Sequence, residues 1–325
     1  LKNNKNLFII NSPLEFINAR EAIYLFNLTN ILFLVIYNRN ENNVNQLKEQ
    51  IKDLIYCEII EFYPSKGSSF FKYVRLIREL RKYTYNKIFT GEIDDSNFRI
   101  LIANLKKEKL FLLDEGTSTI EEYERKIKTN NLNKYKFREI RYLLVGLRLK
   151  LKDTINFFTY YDIKPIYGGE VVKNKLEYMK RNFEQNSITD YSQILFFLGQ
   201  PSSIFANKED LFKSLQNVIQ KYKNKKIIYI PHRREMNLIE IKNNFNKDIE
   251  ILDINQPIEQ YFLNNNIYPM HVISFRSTAL TTTKILFENC LVEYIKINNP
   301  PSILDKNYLK LIYSYFEKDN ILEFK

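Results

Sequence analysis

The chain has no tryptophan, two cysteines, two histidines and only seven glycines in 325 residues. Most of these scarcities exclude something. Cys57 and Cys290 sit far apart, each inside an apolar stretch, and so read as separate buried thiols rather than a disulfide. Even with His232 and His271 they fall short of a Cys/His zinc set of ordinary spacing. No apolar run approaches the eighteen or so residues that a membrane-crossing helix needs, and the stretch Leu25–Tyr37 is broken by Asn27, Thr29 and Asn30. No signal-peptide pattern is present, and the chain starts at Leu1 rather than Met, which leaves room for a removed N-terminal anchor or signal. Zinc-finger spacing, a basic heptad helix and RNP-like aromatics are missing too, which weighs against nucleic acid as a partner. The dearth of Gly and Trp, beside heavy use of Lys, Asn and Ile, reads as an AT-rich coding bias and carries no function.

What is present is a folded, basic protein. Hydrophobic residues make up 45% of the chain and charges are interspersed among them, so it can bury a core. Its length suits two domains of ordinary size. The formal net charge of +11 is spread over most of the expected helices instead of one tail. Such a balance concentrates polyanions, whether anionic membrane lipid or a sugar nucleotide with an acidic glycan.

Hydrophobic periodicity orders these residues into two βα series. Leu7–Ile10, Ile31–Tyr37, Glu58–Phe62, Lys87–Thr90 and Lys109–Leu113 read as buried parallel strands. Leu14–Leu28, Asn43–Ile55, Ser69–Lys82 and Asp95–Leu105 alternate with them at helical spacing. A helical section is expected over Ile120–Lys152, with an amphipathic run at Tyr135–Val145. The stretch Phe157–Ser187, with Tyr160-Tyr161, Pro165 and Gly168-Gly169, reads as a connection between domains. Alternation then resumes. Strands are expected at Gln193–Leu198, Lys226–Ile230, Glu250–Asp253, His271–Phe275 and Leu291–Ile297. Helices are expected at Lys208–Tyr222, Glu235–Phe245, Ile258–Asn264, Ser277–Phe287 and Lys306–Tyr315. The fold class is therefore α/β, a GT-B arrangement of two Rossmann-like domains facing each other across a cleft. The domains are placed at 1–187 and 188–325. Spacing alone also allows a periplasmic-type binding protein or another two-domain α/β enzyme.

Chemistry gathers at strand ends, where open α/β sheets bind ligands. His232 follows the strand Lys226–Ile230 in Tyr-Ile-Pro-His-Arg-Arg-Glu, and a protonated imidazole among guanidiniums suits a departing phosphate. Taken alone, His-Arg-Arg reads more readily as a basic surface turn. Asp114-Glu115-Gly116 ends the strand Lys109–Leu113. Adjacent carboxylates raise one another's pKa, as a general base requires, although a helix start capped by Thr117 or Ser118 is the competing reading. Gly199-Gln200-Pro201-Ser202-Ser203 lets backbone amides approach a ligand closely, but is no Walker motif. Glu259 follows Pro257 at a helix start, where a carboxylate is favoured in any case and could also grip a ribose. Ser277 and Thr278 open a helix whose N-terminus suits phosphate, with Ser277 as a compatible N-cap. His271 reads as a core residue.

In this order the motifs resemble bacterial sialyltransferases of glycosyltransferase family 52, which includes lipooligosaccharide α-2,3-sialyltransferases. The motifs are an acid-acid-Gly strand end, a Gly-x-Pro-Ser turn, Pro-His-x-Arg, Pro-Ile-Glu-x-Tyr and a Ser-rich strand end before Ala-Leu-Thr. The likeness extends in part to Tyr308–Tyr313. It implies that His232, flanked by Pro231 and Arg233, contacts the CMP phosphate and assists its departure. It also implies that Glu259 holds the ribose, that Ser277 and Thr278 bind the phosphate, and that Gly199 and Gln200 line the nucleotide site. Asp114 or Glu115, with Glu115 preferred, would take the proton from the acceptor hydroxyl in a single inverting displacement. The family's His-Pro is His232-Arg233 here, and Ser202 stands where some relatives carry an acid. The implied enzyme transfers sialic acid from CMP-sialic acid to a terminal galactoside of lipooligosaccharide or capsule, without a metal or other cofactor. A homodimer, association with the membrane surface and a bacterial cytoplasmic or inner-membrane-peripheral location are further expectations. The reading requires His232 and the 114–115 pair to face one shared gap.

Overall fold

The computed structural model describes residues 4–52, 54, 57–64, 69–183, 190–235 and 237–325. It divides into two compact units, Leu1–Tyr178 and Met179–Lys325, the division falling within a short helix at Glu177–Arg181. The boundary expected at 187/188 lies outside the described residues.

The first unit is built on a seven-stranded parallel sheet. Its strands are β1 (Lys5–Ile10), β2 (Ile31–Ile36), β3 (Glu58–Phe62), β4 (Tyr85–Thr90), β5 (Lys107–Leu113), β6 (Ile155–Thr159) and β7 (Val171–Lys173). They lie in the order β3-β2-β1-β4-β5-β6-β7. The inner strands are apolar on both faces because helices cover both, so they carry runs such as Leu-Phe-Ile-Ile rather than an alternation. Register is set by an aromatic row. Phe33 pairs with Phe8, Phe8 with Phe89 and Phe89 with Phe111, four neighbouring strands each giving one ring. Phe8 and Phe89 stack at 4.5 Å, and Phe26 lies over Phe89, Phe111 and Phe158. A one-residue slip would turn every ring to the opposite face, so the row opposes slippage.

The second unit carries β8 (Ile194–Leu198), β9 (Lys226–Ile230), β10 (Ile249–Ile251), β11 (His271–Ser274), β12 (Leu291–Tyr294) and β13 (Leu322–Glu323). All pairings are parallel, in the order β10-β9-β8-β11-β12-β13. Both sheets reverse strand order beside their first strand, between β1 and β4 and between β8 and β11. That is where doubly wound folds open a crevice for ligands. His271 is fully buried, its Nε2 2.7 Å from Glu293 Oε2, in keeping with the expected core role.

Two expectations are corrected. Ile120–Lys152 is not one helical section: a helix at Ser118–Glu122 runs into a π-helical turn at Tyr123–Ile127, and only short turns at Phe137–Ile140 and Arg141–Leu144 follow. Nor is Phe157–Ser187 a mere connection, since it supplies most of β6 and all of β7 to the first sheet. Asn156 disguises β6. Its Nδ2 donates to Leu110 O, and its Oδ1 accepts from Glu170 N, so a polar side chain staples β5 to the approach of β7.

Helix ends show how a chain with few glycines turns. Asn27, Asn266 and Asn320 adopt positive φ just beyond the helices Pro13–Leu25, Ile258–Asn264 and Ile303–Lys318. In each case the next amide bonds back five residues: Leu28 to Ile23, Ile267 to Phe262 and Ile321 to Phe316. These are Schellman closures, with apolar partners at both ends and asparagine where glycine is commoner.

Candidate active site

The nucleotide-type residues of the second unit follow three adjacent strands. Gly199 and Gln200 follow β8, Pro231 and His232 follow β9, and Ser277 and Thr278 come after β11. Gln200 Nε2 donates to Ser274 Oγ at 3.3 Å, and Ser274 Oγ donates to Leu198 O at 2.7 Å, tying the ends of β8 and β11 together. Gly199 extends the pairing through its amide to Ile230 O. A Cβ on Gly199 would lie 2.3 Å from Glu235 Oε2, 2.8 Å from Tyr229 Oη and 3.0 Å from His232 N. Its bareness therefore serves the close packing of the His232 turn.

That turn is closed on itself. Glu235 N donates to His232 O, and Glu235 Oε2 accepts from His232 N at 3.0 Å. The other oxygen of Glu235 accepts from the Tyr229 hydroxyl. His232 Nδ1 accepts from Arg234 N at 3.1 Å, which assigns the proton of the neutral ring to Nε2. Burial, then Arg233 and Arg234, hold the imidazole down to a pKa of about 3. The expected imidazolium is thus corrected to a neutral ring near pH 7, because the guanidiniums that would welcome a phosphate also repel a ring proton. Burial raises Glu235 to about 6, against the hydrogen bonds from Tyr229 and His232.

Glu259 stands in the first turn of the helix Ile258–Asn264, buried, with Oε1 accepting from Thr282 Oγ1 at 2.5 Å. Thr282 belongs to the helix Thr278–Leu286, so this bond joins the ribose candidate to the phosphate candidate. Desolvation raises the Glu259 carboxyl. Ser277 caps the second helix, accepting from Ala279 N at 3.2 Å. The structure gathers Gly199, Gln200, Pro231 and His232, with Arg233 exposed beside them, and links Glu259 to the helix that Ser277 and Thr278 open.

In the first unit the acid pair divides its labour. Asp114 is fully buried: Oδ1 accepts from Thr159 Oγ1 at 2.7 Å, Oδ2 from Tyr160 N at 2.9 Å, and its carbonyl from Asn18 Nδ2. Burial pushes it up to about 7 against those hydrogen bonds. It pins the end of β6 to β5. Glu115 is partly exposed, its amide donating to Thr119 Oγ1 and its carbonyl accepting from Ser118 Oγ, just before Gly116 at φ 98°. Thr117 makes no side-chain cap.

Three further acids stand with Glu115, and the motifs did not announce them. Glu92, Glu115 and Glu122 each offer an oxygen within 4.8 Å of the others, so among the described residues this trio is a set that could hold a cation. Glu15, fully buried, couples electrostatically to all three. Burial first, then like charge, raises Glu15 and Glu122 well above the carboxylate range; Glu92 is raised chiefly by burial. A cluster so arranged welcomes a proton. Glu15 was hidden because Ser12-Pro13-x-Glu15 reads as a helix start, and Ser12 does cap Glu15 N. Glu15 Oε2 reaches back instead to Asn11 N at 2.7 Å. Gly91 was the available signal: a Cβ there would lie 2.5 Å from Glu15 Oε1.

No family model and no curated protein matches the sequence. Solved structures do match. The chain is similar to the GT-B domain of a sialyltransferase from Photobacterium damselae, with 11% identity and a TM-score of 0.51, covering 99% of this chain and 100% of that one. It is also similar to a protein assigned as a UDP-N-acetylglucosamine 2-epimerase from Listeria monocytogenes, with 9% identity and a TM-score of 0.57, covering 98% and 91%. The fold is GT-B, two Rossmann-like units with seven- and six-stranded parallel sheets. Among the described residues, no helix is long and apolar enough to cross a membrane.

Proposed function

We propose that the protein is an inverting sialyltransferase that moves sialic acid from CMP-sialic acid to a terminal galactoside of a cell-surface glycan. The observation that carries this reading is the family motif order falling on the ligand-binding edge of a GT-B fold. Gly199-Gln200, Pro231-His232 and Ser277-Thr278 occupy successive strand ends in one sheet, and Glu259 is bonded to the helix that Thr278 begins.

In this mechanism the N-terminus of the helix Thr278–Leu286 receives the CMP phosphate, the positive end of the helix dipole and the Ser277 and Thr278 hydroxyls meeting growing negative charge. His232 donates from Nε2–H to the leaving phosphate as a neutral ring. Arg233 adds positive charge, in place of the rigid turn of the family's His-Pro. Glu259 takes the ribose hydroxyls. Glu115 removes the acceptor proton; Asp114 positions it through the β5–β6 junction. No step requires a metal. The acceptor oxygen bonds to the anomeric carbon as the bond from that carbon to the CMP phosphate oxygen breaks, so the configuration inverts.

Thermal unfolding with CMP, UDP and GDP tests the donor assignment. CMP at about a hundred times its dissociation constant adds roughly 2.7 kcal/mol, and the other two add little at equal concentration. Incubation with CMP-sialic acid and a lactose-type acceptor then yields a product heavier by one sialic acid. Stabilisation by UDP or GDP instead of CMP would overturn the reading.

A further inference from the structure

Within the segment 134–152 of the first unit, the stretch 135–144 exposes most of its apolar side chains while burying Glu139 and Tyr142. Phe137 is 89% exposed and Leu144 84%, with Tyr135, Ile140 and Leu143 also exposed. Glu139 and Tyr142, from the same two short turns, point inward. The Glu139 carboxylate pairs with Arg99 at 3.5 Å, both side chains buried, and the Tyr142 hydroxyl donates to Asn97 Oδ1 at 2.8 Å. Water selects the opposite arrangement, so a surface helix facing only water would not be built this way.

Every exposed charge in the segment is positive: Lys134, Lys136, Arg138, Arg148, Lys150 and Lys152. Over 147–152 leucines point in and basic residues point out. The backbone is held rigid beneath them. Asn104 clamps both the amide and the carbonyl of Arg148, and Asn133 does the same for Leu151. The face is therefore preorganised.

We infer that this face docks on an anionic lipid bilayer, with Phe137 and Leu144 entering the headgroup–acyl boundary and the six basic side chains meeting lipid charge. Apolar side chains flanked by Lys and Arg are the pattern of interfacial membrane binding. The same face of a second copy offers no negative charge to match these six side chains. The inference does not depend on which nucleotide sugar the protein uses, and its test reads lipid binding without turnover.

The full chain is sedimented with phosphatidylcholine vesicles, with and without phosphatidylglycerol. It should pellet with the anionic vesicles and be released by salt. Phe137→Asp with Leu144→Asp should lower the partition coefficient about a hundredfold, since each buried apolar side chain is worth roughly tenfold or more. Lys134→Gln, Lys136→Gln and Arg138→Gln together should lower it by about fivefold per charge and weaken the preference for phosphatidylglycerol. All five positions are exposed, so circular dichroism should confirm an unchanged fold. Wild-type protein that stays in the supernatant with anionic vesicles would overturn the proposal. So would aspartate variants that bind as wild type, or that convert a vesicle-free dimer to a monomer with lipid binding unaltered.

Discussion

Gly199→Ala is the sharpest single test of the second unit's edge. The added methyl would sit 2.3 Å from Glu235 Oε2, more than an ångström inside ordinary contact, and 2.8 Å from Tyr229 Oη. Neither neighbour is a loose end. Glu235 accepts from both Tyr229 and the His232 amide, while Tyr229 is fully buried and its ring stacks on Phe197 at 5.3 Å. Overpacking of this kind costs about 1–3 kcal/mol, and losing the His232 amide bond to a carboxylate adds roughly 1.5–3 kcal/mol. Stability should therefore fall by about 2.5–6 kcal/mol, read by denaturant unfolding. If His232 moves by about 1 Å, turnover should fall on the order of a hundredfold even where the protein remains folded. A double-mutant cycle with Glu235→Ala isolates the contact. Removing that carboxylate vacates the space the methyl needs, so Gly199→Ala should cost markedly less in the Glu235→Ala background. Equal costs in both backgrounds would refute the steric account.

Two further outcomes separate the acids and fix the pH behaviour. E115Q should lower kcat by about a hundredfold to ten-thousandfold with the unfolding midpoint nearly unchanged, whereas D114N should lower stability, because an amide can accept only one of the Thr159 and Tyr160 bonds. Asp114, raised in the fold to about 7, binds more protons folded than unfolded, so stability should fall as pH rises from 4 toward 7 on its account; D114N should flatten that slope where melting temperature is followed against pH. His232 contributes with the opposite sign. Its folded pKa near 3 favours the native state above the unfolded value of about 6.5 and disfavours it as pH drops below that.

The legible part of the fold was whatever burial writes twice. Strands β1, β2, β8 and β9, and the C-terminal halves of β4 and β5, are apolar on both faces, so a continuous run identified them, and the βα alternation then implied parallel order. β6 and β7 escaped because one carries Asn156 inside the sheet and the other has three residues, and because the Gly168-Gly169 turn between them resembles a domain link. The strand-end motifs were legible for a related reason. A ligand edge needs small residues, caps and charges immediately after an apolar run, and that adjacency is local in sequence.

Protonation was the part that could not be read. The sequence places two arginines after His232 and suggests a cationic cradle for phosphate. Whether the imidazole joins that cationic set depends on desolvation and on which ring nitrogen is engaged, both set by the closed turn from His232 to Glu235. With Nδ1 accepting from Arg234 N, the ring can offer phosphate an Nε2–H donor while uncharged. An imidazolium donor would make kcat/KM decline above about pH 6.5; a neutral donor leaves it level there, with any limb belonging to the carboxylates. A rate profile that is flat from pH 6.5 to 8 in the wild type, and retains its shape in an R234Q variant whose Arg234 amide still reaches Nδ1, therefore belongs to the neutral ring. A decline above 6.5 that disappears with His232→Asn would assign the proton to an imidazolium after all.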